Sequence, residues 1–308
     1  MIDRGEIEAA SRRIEGRVRK TPTIDVELDG RPVLLKLELL QHTGSFKPRG
    51  AFNRVLAAGE IPPVGVIAAS GGNHGAAVAY VAAALGIPCE IFVPEATPDV
   101  KRERIESFGA KLVVTGEHYP DAYDSCVERQ AATGALQVHA YDHPHVVAGQ
   151  GTIGIELSKQ APQLESLLVA IGGGGLIAGI AGWLQDDVKV IGVEPETSCA
   201  LHAALAAGRE VEVPVSGLAA DALGARQIGH IAFEVASRFV PEVVLVNDDE
   251  IRQAQAWLWD RLRLIAEPGG AAALAALLSG RYRPEGPVGV VVCGANTDPQ
   301  TVTALPRV

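Results

Sequence analysis

Thr43-Gly44-Ser45-Phe46-Lys47-Pro48-Arg49-Gly50 encloses one lysine among an aromatic residue, a proline, small residues and two glycines. Lysine is ordinarily a solvated surface residue. Desolvation lowers a lysine pKa, because the ammonium loses its water. A neutral amine is a nucleophile and forms a Schiff base with a carbonyl. On its own the octapeptide also admits a plain loop lysine beside turn glycines.

Two further glycine-rich segments bear on that choice. Ser70-Gly71-Gly72-Asn73-His74-Gly75 follows the apolar run 64–69 and precedes an alanine-rich stretch that ends near Gly86. The order reads as strand, tight loop, helix. Gly172-Gly173-Gly174-Gly175 follows Leu167-Leu168-Val169-Ala170-Ile171 and opens Leu176-Ile177-Ala178-Gly179-Ile180-Ala181, in the same order. A helix N-terminus offers free N–H groups and partial positive charge to a phosphate. Glycines let the backbone come close to the anion.

The rest of the chain alternates short apolar runs with amphipathic stretches. Ile7, Ile14 and Val18 mark an N-terminal helix face. Segment 33–38 reads as a strand leading toward Lys47. Strands follow at 64–69, 88–93 and 111–114, with 136–139 a fainter fourth, and helices lie between them near 74–86, 98–108 and 119–133. A second series has strands at 167–171, 188–194, 243–246 and 288–293, and helices near 150–160, 176–185, 198–207, 249–263 and 269–279. Strand–helix alternation implies parallel βαβ units in an α/β fold. No internal repeat is evident.

Composition excludes several classes. A chain of 308 residues suggests about two domains. Its 47% hydrophobic and 21% charged residues fit a globular protein with large cores. The net charge of −10 leaves no basic stripe for nucleic acid. The charged start lacks the apolar core of a signal peptide, and no run suits a membrane span. Cys89, Cys126, Cys199 and Cys293 form no C-x-x-C pair, so a disulfide framework is not expected. These features fit a cytoplasmic enzyme.

The three segments, in this order, resemble the fold-type II pyridoxal-phosphate enzymes, and most closely the serine/threonine dehydratases. The resemblance runs from Thr21-Pro22 to Cys293-Gly294-Ala295-Asn296 and covers nearly the whole chain. It implies a two-domain α/β fold like that of the tryptophan synthase β chain, each domain an open, mainly parallel sheet flanked by helices. Residues 1–51 and 143–308 would form the large cofactor-binding domain, and 52–142 a small mobile one. The cofactor, pyridoxal 5'-phosphate, would lie between them at the carboxyl ends of the strands. A homodimer is expected.

The resemblance also implies residue roles. Lys47 would hold the cofactor aldehyde and, once displaced, act as base on the substrate Cα–H. Phe46 would pack beside it. Asn73 would hydrogen-bond the phenolic oxygen of the ring. Gly172, Gly173, Gly174, Gly175 and Leu176 would bind the phosphate. Ser70, Gly71, Gly72 and His74 would receive the substrate carboxylate. Glu267 would lie near the ring, and Cys293 would face the pyridine nitrogen. A neutral thiol there keeps the ring nitrogen protonated less firmly than an aspartate would, which favours elimination over long-lived carbanions. Gly149-Gln150-Gly151-Thr152 resembles a helix start in the large domain. The expected reaction is β-elimination of L-threonine and/or L-serine to 2-oxobutanoate or pyruvate plus ammonia.

Other readings stay open. Serine racemases of the family carry a serine where this chain has Gly71. A 3-hydroxyaspartate dehydratase would want an arginine for the second carboxylate, and segment 117–125 contains none. The family's cation site uses a Glu-Pro dipeptide, a carbonyl and an aspartate. Glu194-Pro195 and Ser198 match, but Ala200 replaces the aspartate, so a monovalent or divalent cation at Glu194 and Ser198 is an open question. His139, Asp142, His143 and His145 form a second metal candidate. Gly173-x-Gly175-x-x-Ala178 with Glu194 also fits a relaxed dinucleotide fingerprint, which would make a nicotinamide dehydrogenase. A non-catalytic binder of cofactor or amino acid is the remaining alternative. No regulatory domain is expected after Val308.

Overall fold

The computed structural model describes residues 2–306. Among these residues ten strands form two sheets: β1 (Thr23–Leu28), β2 (Arg31–Lys36), β3 (Val66–Ala69), β4 (Cys89–Val93), β5 (Lys111–Val114), β6 (Leu136–Gln137), β7 (Ser166–Ala170), β8 (Lys189–Pro195), β9 (Glu242–Val246) and β10 (Val288–Val291). The larger sheet has the order β1-β2-β10-β7-β8-β9, and the smaller β5-β4-β3-β6. All neighbours are parallel except the β1–β2 pair at one edge.

Burial explains why these runs are strands. Every residue of β3, β7 and β10 is buried, as expected for parallel strands covered on both faces. Edge strand β1 instead alternates Ile24, Val26 and Leu28 with Asp25 and Glu27. The sequence reading missed β1, although that alternation is its signal.

Among the described residues thirteen α-helices cover the sheets. The first six are α1 (Arg4–Ile14), α2 (Lys47–Leu56), α3 (Asn73–Leu85), α4 (Asp99–Glu106), α5 (Tyr119–Thr133) and α6 (Pro144–Gln160). The others are α7 (Gly175–Leu184), α8 (Ala200–Ala207), α9 (Ala220–Leu223), α10 (His230–Phe239), α11 (Asp248–Leu262), α12 (Pro268–Leu278) and α13 (Pro299–Thr303). Helices α2, α9, α10 and α13 were not foreseen. No helix among the described residues is long and apolar enough to cross a membrane.

Helix α6 starts at Pro144, six residues before the expected start at 150. The glycines taken for a helix start lie inside it and serve packing. A Cβ on Gly149 would stand 2.6 Å from the Arg49 carbonyl oxygen and from Gly50 Cα, so α2 crosses α6 at backbone contact. A Cβ on Gly179 would stand 2.4 Å from the Val147 oxygen, so α7 crosses α6 in the same way. Helix α6 therefore draws the Lys47 helix and the tetraglycine helix onto one body.

Beneath α2 lies a buried charge cluster. Arg49 is fully buried and grips Glu38 with two hydrogen bonds of 2.8 Å. Its Nη1 also reaches Glu156 at 2.7 Å, and Lys36 Nζ bonds the other Glu156 oxygen at 2.5 Å. Burial alone would raise the Glu38 pKa, but the Arg49 charge and hydrogen bonds outweigh it and hold it low. Two cations meet two anions, so no charge is left uncompensated.

The helix crossing yields a stability prediction. Gly149→Ala should destabilise the protein by about 1–3 kcal/mol, because overpacking against backbone exceeds the roughly 1 kcal/mol gained in helix propensity. Thermal denaturation measures it; an unchanged or raised midpoint would contradict the close crossing.

Candidate active site

Three loops meet at the carboxyl ends of β3, β7 and β10, the edge where open α/β sheets bind ligands. Strands β7 and β10 are paired neighbours, which sets the tetraglycine beside Cys293. The Lys47 segment is tied to the same edge. Phe46 N–H donates to the Cys293 carbonyl at 3.2 Å, Ala295 N–H to Gly44 at 2.9 Å, and Ser45 bridges Gly294.

Lys47 opens α2, with Pro48 in the first turn where proline is tolerated. Its side chain is half-buried, and Nζ donates to the Ala140 carbonyl at 2.9 Å. The Phe46 ring lies 5.1 Å from Nζ. Desolvation pushes the amine down to about 8, against the opposing pull of Cys293 and Glu267. Burial also pushes the Cys293 thiol up, so it is neutral near pH 7. Cys293 Sγ lies 3.4 Å from the Gly269 carbonyl.

Asn73 opens α3 and donates Nδ2–H to Glu267 Oε1 at 2.6 Å. Desolvation raises the Glu267 carboxyl to about 7, though Asn73 and nearby cations oppose it. Gly294 makes this approach possible, since a Cβ there would sit 1.9 Å from Glu267 Oε1. Ser70, Gly71, Gly72 and Asn73 are all half-exposed, and Ser70 Oγ accepts the Gly72 N–H at 3.2 Å. His74 turns away. It is buried and bonded to the Val138 carbonyl at 2.8 Å, and burial drops it to about 3. It is a neutral packing residue, which leaves the backbone amides of the loop as the donors for a carboxylate.

The tetraglycine is shaped by its neighbours. A Cβ on Gly173 would enter the Tyr141 ring at 2.3 Å, and one on Gly172 would meet Leu223 Cα at 2.9 Å. Gly174 has φ +87°, a conformation that favours glycine. The N–H groups of Gly172, Gly173 and Gly174 donate to no acceptor among the described residues. Gly175 and Leu176 begin α7, whose first-turn N–H groups are likewise open. Five consecutive amides are therefore available to an anion. With a desolvated amine and a neutral thiol nearby, these residues fit an aldehyde-bearing aromatic phosphate.

The metal and dinucleotide readings fare differently. Glu194 accepts the N–H groups of Leu201 and His202, each at 2.8 Å, and so caps α8 with both oxygens. Each of its oxygens thus carries one hydrogen bond from the helix. Ser198 Oγ donates to the Leu223 carbonyl at 3.0 Å. Asp142 caps α10 through Ile231 and His230, at 3.0 and 3.1 Å. His139 Nδ1 accepts from Asp142 N–H at 2.9 Å, and His143 Nδ1 accepts from His145 N–H at 3.2 Å. Among the described residues no group of three or more His, Cys, Asp or Glu could hold a metal ion.

Three residues at the site were not assigned a role from sequence: Thr43, Arg104 and Asn296. Arg104 Nη1 donates to Asn296 Oδ1 at 2.5 Å and Nη2 to the Thr43 carbonyl at 2.8 Å. Asn296 Nδ2 donates to Thr43 O at 2.8 Å and to Asn73 Oδ1. Arg104 lies in the charged run Lys101-Arg102-Glu103-Arg104, which carries no signal in sequence.

Comparison with known proteins agrees with this geometry. The family model described as pyridoxal-phosphate dependent enzyme matches residues 14–294. An L-threonine ammonia-lyase of Geobacter sulfurreducens is 41% identical, over 97% of this chain and 77% of that one. The structure of a T.th. threonine deaminase superposes with TM-score 0.90 at 34% identity, covering 96% of this chain and 99% of its own. That of maize serine racemase gives 0.92 at 30%, covering 98% and 96%. A lysine-bearing helix start, an open amide cradle and a match over most of the length agree: the chain belongs to the pyridoxal-phosphate dependent enzyme family.

Proposed function

We propose that this chain eliminates the β-hydroxyl of L-threonine and/or L-serine, giving 2-oxobutanoate or pyruvate plus ammonia. The observation that carries the reading is Lys47. Its amine is desolvated to a pKa of about 8 and stands at the cleft edge between β10 and the Ala140 carbonyl. Similarity to threonine ammonia-lyases and a threonine deaminase supports the choice of substrate.

Pyridoxal 5'-phosphate, when bound, supplies the electron sink that allows a Cα–H bond to break. The chain does the rest. Lys47 Nζ holds the aldehyde and then takes the Cα proton, for which a pKa near neutrality is well matched. The amides of Gly172, Gly173, Gly174, Gly175 and Leu176 hold the phosphate. Asn73 would donate to the phenolic oxygen, Phe46 packs beside Lys47, and the substrate carboxylate would be held by the Ser70 hydroxyl and the backbone N–H groups of Gly71 and His74, since Ser70 N–H already donates to the Phe92 carbonyl and Gly72 N–H to Ser70 Oγ. The neutral Cys293 thiol would serve the ring nitrogen. Glu267 orders Asn73. Segment 52–142, which contains the whole four-stranded sheet, is the mobile small domain, and the remainder is the large one. The four cysteines are free.

Racemisation is disfavoured by Gly71, which has no side chain to return a proton from the opposite face. A Cβ there would press on Thr97 Cγ2 at 2.8 Å. Wild-type protein given L-threonine or L-serine should release keto acid and ammonia with no D-serine, while Lys47→Ala should lose both turnover and the visible band of bound cofactor. Normal turnover by that variant would refute the base, and D-serine as the main product would favour the racemase.

The depressed pKa carries a second prediction. Only the neutral amine attacks an aldehyde, so cofactor uptake by apoprotein should rise with pH and level off above about 8. Stopped-flow mixing over pH 6–10 measures it. A rise that continues to the ordinary lysine pKa of about 10.4 would show an amine still in water.

A further inference from the structure

Arg104 comes from α4, beside the four-stranded sheet, yet both its partners belong to the other half. Thr43 lies four residues before Lys47. Asn296 lies three after Cys293 and sits against the Thr43–Gly44 turn. The turn has little room: a Cβ on Gly44 would stand 2.6 Å from Asn296 Oδ1, and Gly44 has φ +70°. Thr43 itself has φ 59°, a left-handed conformation that a β-branched residue seldom takes. Its buried Oγ1 has no hydrogen-bond partner, so the side chain does not secure this conformation. Its carbonyl does, by accepting from both Arg104 Nη2 and Asn296 Nδ2, each at 2.8 Å.

Donor and acceptor chemistry then fixes the direction of the whole chain of contacts. Arginine only donates, so Asn296 must present Oδ1 to Arg104. The Thr43 carbonyl only accepts, so Asn296 must turn Nδ2 toward it. The same Nδ2 group meets Asn73, which must answer with Oδ1. Asn73 is left with Nδ2 facing Glu267 and the cleft. A flip of either amide would set donor against donor or acceptor against acceptor.

From this geometry we propose that Arg104 is a positioning residue: acting through Asn296, it holds Asn73 with its amide donor toward the cofactor, and does so only while the two halves are in contact. The proposal rests on Asn73 being the cofactor's partner, as in the function proposed above. Asn73 and Arg104 both belong to segment 52–142, so opening of the small half withdraws the amide and the guanidinium together and leaves the Thr43 carbonyl and Asn296 without either. Lys101 on the same helix bonds Asp221 at 2.8 Å and crosses the same gap. That pair is exposed and of little weight.

Four variants test this: Arg104→Met, Arg104→Lys, Asn296→Ala, and Arg104→Met combined with Asn296→Ala. For each, the dissociation constant of pyridoxal phosphate and the absorbance maximum of the bound cofactor are measured, and the apoprotein is melted. Arg104→Met should weaken cofactor binding about tenfold, the size of one lost charge-assisted hydrogen bond, and shift the absorbance maximum. Arg104→Lys should recover only part, since an ammonium cannot fork onto two acceptors. The double variant should be no worse than the more affected single one. Wild-type binding and absorbance in Arg104→Met, or losses that multiply in the double variant, would overturn the proposal. If wild-type protein itself takes up no pyridoxal phosphate, the proposed function fails instead. The apoprotein cycle is then decisive for the network: non-additive melting shifts uphold it and additive shifts overturn it.

Discussion

Backbone contact between helices is the constraint from which the site follows. Helix α6 touches α2 through Gly149 and Gly50 and touches α7 through Gly151 and Gly179. Neither crossing leaves space for a methyl group. Each pins a helix N-terminus: α2 begins with Lys47 and α7 with Gly175. The amine and the amide cradle are thus two ends of helices held by a third. Interiors are close-packed and transmit displacement, so a shift at either crossing would move one functional end relative to the other. The Arg49 cluster reinforces the same place, two residues from Lys47, with charges that have no better partner elsewhere.

Burial then sets the chemistry. The same loss of water that pushes Lys47 down to about 8 pushes Glu267 up to about 7 and keeps the Cys293 thiol protonated. Desolvation disfavours every charge, so acids rise and bases fall toward neutrality. A site of this kind can exchange protons near physiological pH without large driving forces. His74 shows the limit of that rule, since burial takes it to about 3, where it plays no acid–base part near neutral pH.

Much of this was legible in the sequence because parallel βα units write themselves in short apolar runs and glycine loops. The central strands β3, β7 and β10 are apolar throughout, and their loops carry the reactive segments. What stayed hidden has particular causes. The α6 glycines read as a helix start because a glycine that packs and a glycine that turns look alike in one dimension. His74 read as a ligand residue because a sequence does not say which way a ring points. Glu194 gave no sign in sequence that both its oxygens cap α8, a role set by residues seven and eight positions on. Arg104 read as one more charge on a polar helix, since its partners are 61 and 192 residues away.

Every role given to the site assumes that one amine, and no other, holds the cofactor. Borohydride reduction of the loaded protein, followed by peptide mapping, addresses this directly. A single reduced pyridoxyl adduct on Lys47 is the predicted result. An adduct at another lysine, or none at residue 47, would contradict the account.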